Sequence, residues 1–197
     1  QKNLAGFNVT IPYKEQIIPF LDAISPEAKA LGAVNTVVCT EINDNKHYSG
    51  FNTDVYGFEQ SLLRLKNKIK KAFVLGSGGA SKAICWVLKQ KQIPYQLVSR
   101  NPKAEQIGYA EIQKHLQDNN LVINCSPVGM KGPYPTLLDL PFELFNINDS
   151  FIDLVYNPKT TPSIKEMKKQ GVECLNGEIM LEQQAQKAWQ IFRHHHE

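Results

Sequence analysis

No apolar run in these 197 residues approaches the roughly 20 that a membrane-spanning helix needs. The chain is therefore expected to work away from the bilayer. No secretory leader of basic, apolar and small-residue blocks is visible in it either, and none is expected. Neither sign of charge dominates: 22 basic residues face 19 acidic ones, a net charge of +3. That surplus is too small to point to nucleic acid, and no basic face with interleaved aromatics accompanies it. The densest basic stretch, RLKNKIKK at 64–71, has Leu65 and Ile69 at helical spacing and reads as a solvated helix end. Cysteines are four and scattered (Cys39, Cys85, Cys125, Cys174), without a CxxC or a histidine at ligand spacing. No metal site is expected, and free thiols suit a reducing cytoplasm. Three of the five histidines, His194, His195 and His196, sit at the very end and read as a tail or tag remnant. There is no initiator Met and the chain enters a strand almost at once. Part of a domain is accordingly expected to precede it.

What is there is ordinary globular material: 42% hydrophobic and 21% charged, enough for a core without disulfides. Phe7–Ile11 alternates as a strand, and a helix is expected around Tyr13–Ile24. AVNTVVCTEI, the turn NDNK and HYSGFN read as a hairpin. A helix is expected from Thr53-Asp54 to about Asn67. Ala72–Leu75 reads as a buried strand, Ala80–Lys89 as a helix, and YQLVSR, LVINCSP and SFIDLVYNP as further strands. A helix runs from Thr161-Pro162 to a stop at Gly171, and the last one covers about Ile179–Phe192. Strand–helix alternation of this kind predicts a parallel sheet with helices on both faces. Residues 67–176 form that unit, 1–66 part of a smaller α/β unit, and 177–197 a helix returning to the smaller one.

The strongest local pattern is VLGSGGAS. Gly76, Gly78 and Ser81 occupy the three positions of the dinucleotide fingerprint, between a strand and a helix. The first glycine makes the turn, the second lets the backbone approach a pyrophosphate, and Ser81 is small enough for close helix packing. Backbone N–H groups at the helix start would face the phosphates. The fold class is therefore α/β with a Rossmann-like, parallel-sheet dinucleotide-binding domain. At the end of the next strand an acidic residue would suit the ribose hydroxyl of NAD. The chain instead has Ser99-Arg100-Asn101, and a guanidinium beside a neutral residue suits the 2′-phosphate of NADP.

Three polar signals precede that unit: NVTIPYK, GAVNTV and GFNTDVYG. Only Lys14 and Asp54 among them can trade protons. A protonated lysine held by a carboxylate could supply a proton to an oxygen as hydride reaches its carbon. The plain alternative makes Lys14 a surface residue and Asp54 a helix cap, and residue type alone leaves both open.

Taken together and in order, NVTIPYK, GAVNTV, GFNTD, GSGGAS, NCSPVGM, DLVYNP and NGEIMLEQQA resemble the shikimate dehydrogenase family across nearly the whole chain. The resemblance implies reduction of 3-dehydroshikimate by NADPH in aromatic amino-acid (chorismate) biosynthesis. It implies Lys14 as the catalytic lysine with Asp54 as its partner, and Asn8, Thr10, Asn35, Tyr156 and Gln184 as substrate-binding residues. Gly76, Ser77, Gly78, Gly79 and Ala80 would form the phosphate loop, with Ser99, Arg100 and Asn101 at the 2′-phosphate. Ser126, Gly177 and Met180 would line the nicotinamide end. A small-molecule substrate and a monomer or homodimer complete the expectation.

Two departures stand out. The family's last motif commonly has glycine before its methionine, where this chain reads Glu178-Ile179-Met180. The family's first strand, first helix and the serines that hold the substrate carboxylate lie upstream of NVT, so they are expected outside this chain. A quinate/shikimate dehydrogenase is the runner-up, and a chain that binds NADPH without turnover is the alternative outside the enzyme class.

Overall fold

The computed structural model describes residues 4–10 and 12–195. Its larger sheet is wholly parallel and has six strands: β5 (Lys71–Leu75), β6 (Tyr95–Val98), β7 (Gln106–Ile107), β8 (Asn120–Asn124), β9 (Ser150–Asp153) and β10 (Glu173–Leu175). The spatial order is β10-β9-β8-β5-β6-β7. The chain starts at the centre, winds outward through β6 and β7, and returns to β8 on the other side. This is a doubly wound, Rossmann-like sheet with its switch point between β5 and β8. Because both faces are covered, the strands are near-continuous apolar runs such as KAFVL and NLVIN. One face carries α3 (Gly79–Gln90), whose Ile84, Val87 and Leu88 are buried with Val74, Leu121 and Ile123. The other carries α4 (Pro162–Lys169), whose Ile164 and Met167 pack with Phe73, Val122 and Phe151.

The smaller sheet has the order β1-β3-β4-β2, from β1 (Gly6–Asn8), β2 (Ala23–Ile24), β3 (Thr36–Ile42) and β4 (Asn45–Phe51). A short helix α1 (Pro26–Leu31) is capped by Ser25, whose Oγ accepts from the Ala28 N–H at 3.2 Å. Helix α2 (Asp54–Leu62) leads to the large sheet, and α5 (Glu178–His194) comes back to pack on α2. Gly57 permits their close approach, since a Cβ there would lie 2.6 Å from the Met180 carbonyl oxygen.

Several sequence expectations change. The first strand ends at Asn8 rather than running to Ile11, and Ile11 itself lies outside the described residues, as does His196. No α-helix spans Tyr13–Ile24; turns, a 3-10 segment at Ile18–Phe20 and β2 replace it. Pro19 in its middle removes a donor and clashes with the preceding turn, which breaks the helical pattern. Helix α2 stops at Leu62 instead of Asn67, so 64–70 is a connector and not a helix end. It is held there because the Lys66 and Asn67 N–H groups donate to the Glu173 carboxylate, Lys66 at 2.9 and Asn67 at 3.1 Å. Leu65 and Ile69 pack inward on the core.

Candidate active site

Two loops and a helix start build the site. After β1 the chain turns tightly, with the Tyr13 N–H donating to Thr10 O at 2.8 Å. The Lys14 carbonyl then accepts from the Val34 N–H at 2.8 Å, fixing Lys14 against the AVNT segment. The Asn35 Oδ1 accepts from the Thr53 N–H at 2.9 Å, and the Asp54 N–H donates to Asn52 Oδ1 at 3.0 Å. These bonds satisfy orphan amides at the start of α2, where the helix dipole favours a carboxylate. Lys14 Nζ meets Asp54 Oδ2 at 2.6 Å, with the two side chains only 16% and 10% exposed. The other carboxylate oxygen, Oδ1, accepts from Asn35 Nδ2 at 3.0 Å.

The pair opens on a cleft of about 500 Å³. The same cleft is lined by Asn8, Thr10, Asn35, Tyr156 and Gln184, and by Ala80, Gly177 and Met180. Ten of the predicted positions thus converge on one space, including one from the glycine turn. The other predicted residues lie off the cleft wall. Gly76 turns with φ +102°, and a Cβ on it would sit 3.5 Å from the Ser126 Cβ, so the turns after β5 and β8 face each other. Ser77 and Gly78 are exposed, and a Cβ at Gly78 or Gly79 would meet nothing within 4 Å. That open cradle of backbone at the N-terminus of α3 fits a dinucleotide pyrophosphate. Arg100 and Asn101 are exposed at the end of β6, and the Asn101 N–H donates to Ser99 Oγ at 3.2 Å. Ser126 Oγ donates to Asn124 Oδ1 at 2.6 Å.

Beneath Ser126 lies a buried polar cluster. Asp153 takes Asn124 Nδ2 at 2.9 Å, the Val155 N–H at 3.1 Å and the Thr161 hydroxyl at 2.6 Å. Burial pushes the Asp153 carboxyl above its ordinary value, against the pull of these donors. Burial likewise pushes the Cys125 thiol up, and the Cys85 thiol to about 11. Among the described residues no group of three His, Cys, Asp or Glu side chains could hold a metal ion, and no helix is long and apolar enough to cross a membrane.

Sequence reasoning missed the far wall: Leu181, Ala185, Ala188, Trp189 and Phe192 of α5 also line the cleft. Their recurrence at helical spacing was the available signal. It missed Thr53, which stands between Asn35 and Gln184. Nothing in the sequence announced the ion pair between Lys82 of α3 and Glu15 at 2.6 Å, which ties the glycine-turn helix to the lysine loop.

A doubly wound sheet whose glycine turn touches a cleft holding a lysine–carboxylate pair defines an oxidoreductase of the nicotinamide-dinucleotide class. Relatives narrow this. A family model described as "Shikimate dehydrogenase substrate binding domain" matches residues 1–37. A shikimate dehydrogenase (NADP(+)) from Caldanaerobacter subterraneus subsp. tengcongensis is 36% identical over 96% of this chain and 72% of its own length. The Thermus thermophilus shikimate 5-dehydrogenase, solved with NADP(H) and shikimate, superposes with a TM-score of 0.80 at 31% identity, covering 97% of this chain and 74% of that one. A quinate dehydrogenase from Corynebacterium glutamicum, solved with NAD, reaches 0.81 at 28% identity, with 96% and 73% covered. The chain belongs to the shikimate dehydrogenase family.

Proposed function

We propose that this chain catalyses the NADPH-dependent reduction of 3-dehydroshikimate to shikimate, a step of aromatic amino-acid biosynthesis. The observation that carries the reading is the Lys14–Asp54 pair, 2.6 Å apart, in a cleft shared with Ala80 of the glycine turn. NADPH, when bound, supplies a hydride to the ring ketone carbon. Lys14 donates a proton to the ketone oxygen, so that the C=O bond becomes a secondary alcohol. Asp54 holds the ammonium in place, and Asn35 holds Asp54. Asn8, Thr10, Tyr156 and Gln184 supply polar contacts to a polyhydroxylated ring, alongside Asn35.

On the cofactor side, Gly76 to Ala80 would take the pyrophosphate and Ser99, Arg100 and Asn101 the 2′-phosphate. Ser126, Gly177 and Met180 would border the nicotinamide. Residues 1–66 are read as the substrate unit, 67–176 as the NADP-binding unit and 177–197 as the helix that rejoins the first.

Oxidation of NADPH by the purified chain, with and without 3-dehydroshikimate, tests the reading beside a direct NADPH titration. Substrate-dependent oxidation is the expected result. Tight NADPH binding with no oxidation would overturn it in favour of a cofactor-binding chain. Faster turnover of quinate with NAD would move the chain to the quinate enzymes.

A further inference from the structure

Thr53 is 1% exposed and carries one hydroxyl proton that faces two acceptors. Asn35 Oδ1 lies at 3.2 Å and Gln184 Oε1 at 3.3 Å. A hydroxyl has a single proton, so it serves one of them at a time. The same oxygen accepts from Asn35 Nδ2 at 3.1 Å, and the second proton of that amide goes to Asp54 Oδ1 at 3.0 Å. Asn35 Oδ1 is also served by the Thr53 N–H and the Thr36 hydroxyl, both at 2.9 Å. Four bonds thus set the direction of the Asn35 amide, and the Thr53 proton adds a fifth, at Oδ1, only while it points away from Gln184.

We infer that Thr53 is a positioning residue that couples Gln184 on α5 to the Lys14–Asp54 pair. The inference rests on the proposed reaction. While Gln184 faces Thr53, the hydroxyl donates to its Oε1. When Gln184 turns to a substrate hydroxyl, the Thr53 proton returns to Asn35 Oδ1 and tightens the amide that orients Asp54. Pocket occupancy, sensed 131 residues away in sequence, reaches the carboxylate through one hydroxyl. A buried threonine that merely fills space would need only its shape, which valine reproduces.

The test compares wild type, Thr53→Val, Thr53→Ser, Gln184→Ala and the Thr53→Val/Gln184→Ala double variant. Thr53→Val is expected to lower kcat about tenfold, with KM for NADPH unchanged. Thr53→Ser, which keeps the hydroxyl, is expected to return kcat to within about threefold. The double variant is expected to be no slower than the worse single one, because the two side chains act on one path. Unchanged kcat in Thr53→Val, no rescue by serine, or multiplicative losses in the double variant would each overturn the coupling. A wild-type chain with no 3-dehydroshikimate turnover would sink the proposed reaction separately. The coupling is then read from urea unfolding of wild type, Thr53→Val, Gln184→Ala and the double variant: non-additive stabilities sustain it, additive ones overturn it.

Discussion

The two sheets differ in how they are held. The parallel sheet is sandwiched between two apolar clusters, one with Val74, Ile84, Leu121 and Ile123, the other with Phe73, Val122, Phe151 and Met167. The smaller sheet's own cluster has three fully buried members, Ala28, Val34 and Val37. It gains further support from elements that follow it in sequence: α2 packs under α5, and Gly6 lies against Val37 and Phe192 so closely that a Cβ would clash. Yet the Lys14–Asp54 ion pair stands on the smaller sheet's side. The lesson is a division of labour, with the proposed cofactor platform layered between two large apolar clusters and the proposed catalytic edge held by α2 and α5, whose Val55, Phe58 and Met180 also join one of those clusters.

Lys14→Ala should separate the two most sharply. General acid catalysis is worth about 10²–10⁴-fold, so turnover should fall by that order while the NADPH dissociation constant stays within about twofold. Parallel loss of both in a cofactor titration would put Lys14 on the platform instead of the edge. Gly57→Ala attacks the borrowed support. Its Cβ would press on the Met180 carbonyl at 2.6 Å, and overpacking of this kind costs about 1–3 kcal/mol. Urea unfolding should register that loss, and turnover should drop while NADPH still binds. Equal weakening of NADPH binding would show that the strain passes through Val55, Phe58 and Met180 into the cluster they share with the platform.

On the platform itself, Arg100→Ala should shift cofactor choice without touching the chemical step. Losing charge-assisted bonds to a 2′-phosphate is worth about 1.5–3 kcal/mol. The preference for NADPH over NADH, read as the ratio of kcat/KM values, should therefore fall by about tenfold to a hundredfold. An unchanged ratio would assign phosphate recognition elsewhere.

How much of this was legible in the sequence follows the same division. The four inner parallel strands announced themselves because burial on both faces leaves near-continuous apolar runs, whereas the short edge strands β7 and β10 did not; the glycine turn was readable because a tight strand-to-helix turn favours bare backbone. Helix α4 was readable from Thr161, whose hydroxyl caps the Ile164 N–H at 3.2 Å, and from Gly171 at φ +77°. The catalytic edge was legible as motifs but not as geometry. Asn8, Asn35 and Asp54 could be picked out, whereas Thr53 as the bridge to Gln184 depends on a contact between distant segments. Residues 13–24 misled because apolar spacing suggested a helix that Pro19 forbids. The connector at 64–70 misled because its end is set by Glu173, a carboxylate over a hundred residues downstream.

The smallest expected effect lies inside the platform, at Asp153. This carboxylate is buried, and desolvation raises its pKa above the ordinary 3.8 despite donors from Asn124, Val155 and Thr161. A carboxyl whose folded-state value exceeds its unfolded value binds a proton more readily in the folded protein. Its contribution therefore favours the fold at low pH and is lost as pH rises from about 4 through the raised value. Above that value the charged group remains buried, at a constant cost. Asp153→Asn should remove this slope. The amide can still accept from Asn124 and Val155 and can donate to the Thr161 oxygen, so neutral-pH stability should change by only about 1 kcal/mol. Urea midpoints of both proteins from pH 4 to pH 7 provide the check. The wild type should lose stability relative to Asp153→Asn as pH rises; parallel curves would mean that the three donors already offset the burial. In that case the polar cluster under Ser126 would be electrostatically neutral scaffolding, as silent to pH as the apolar layers around it.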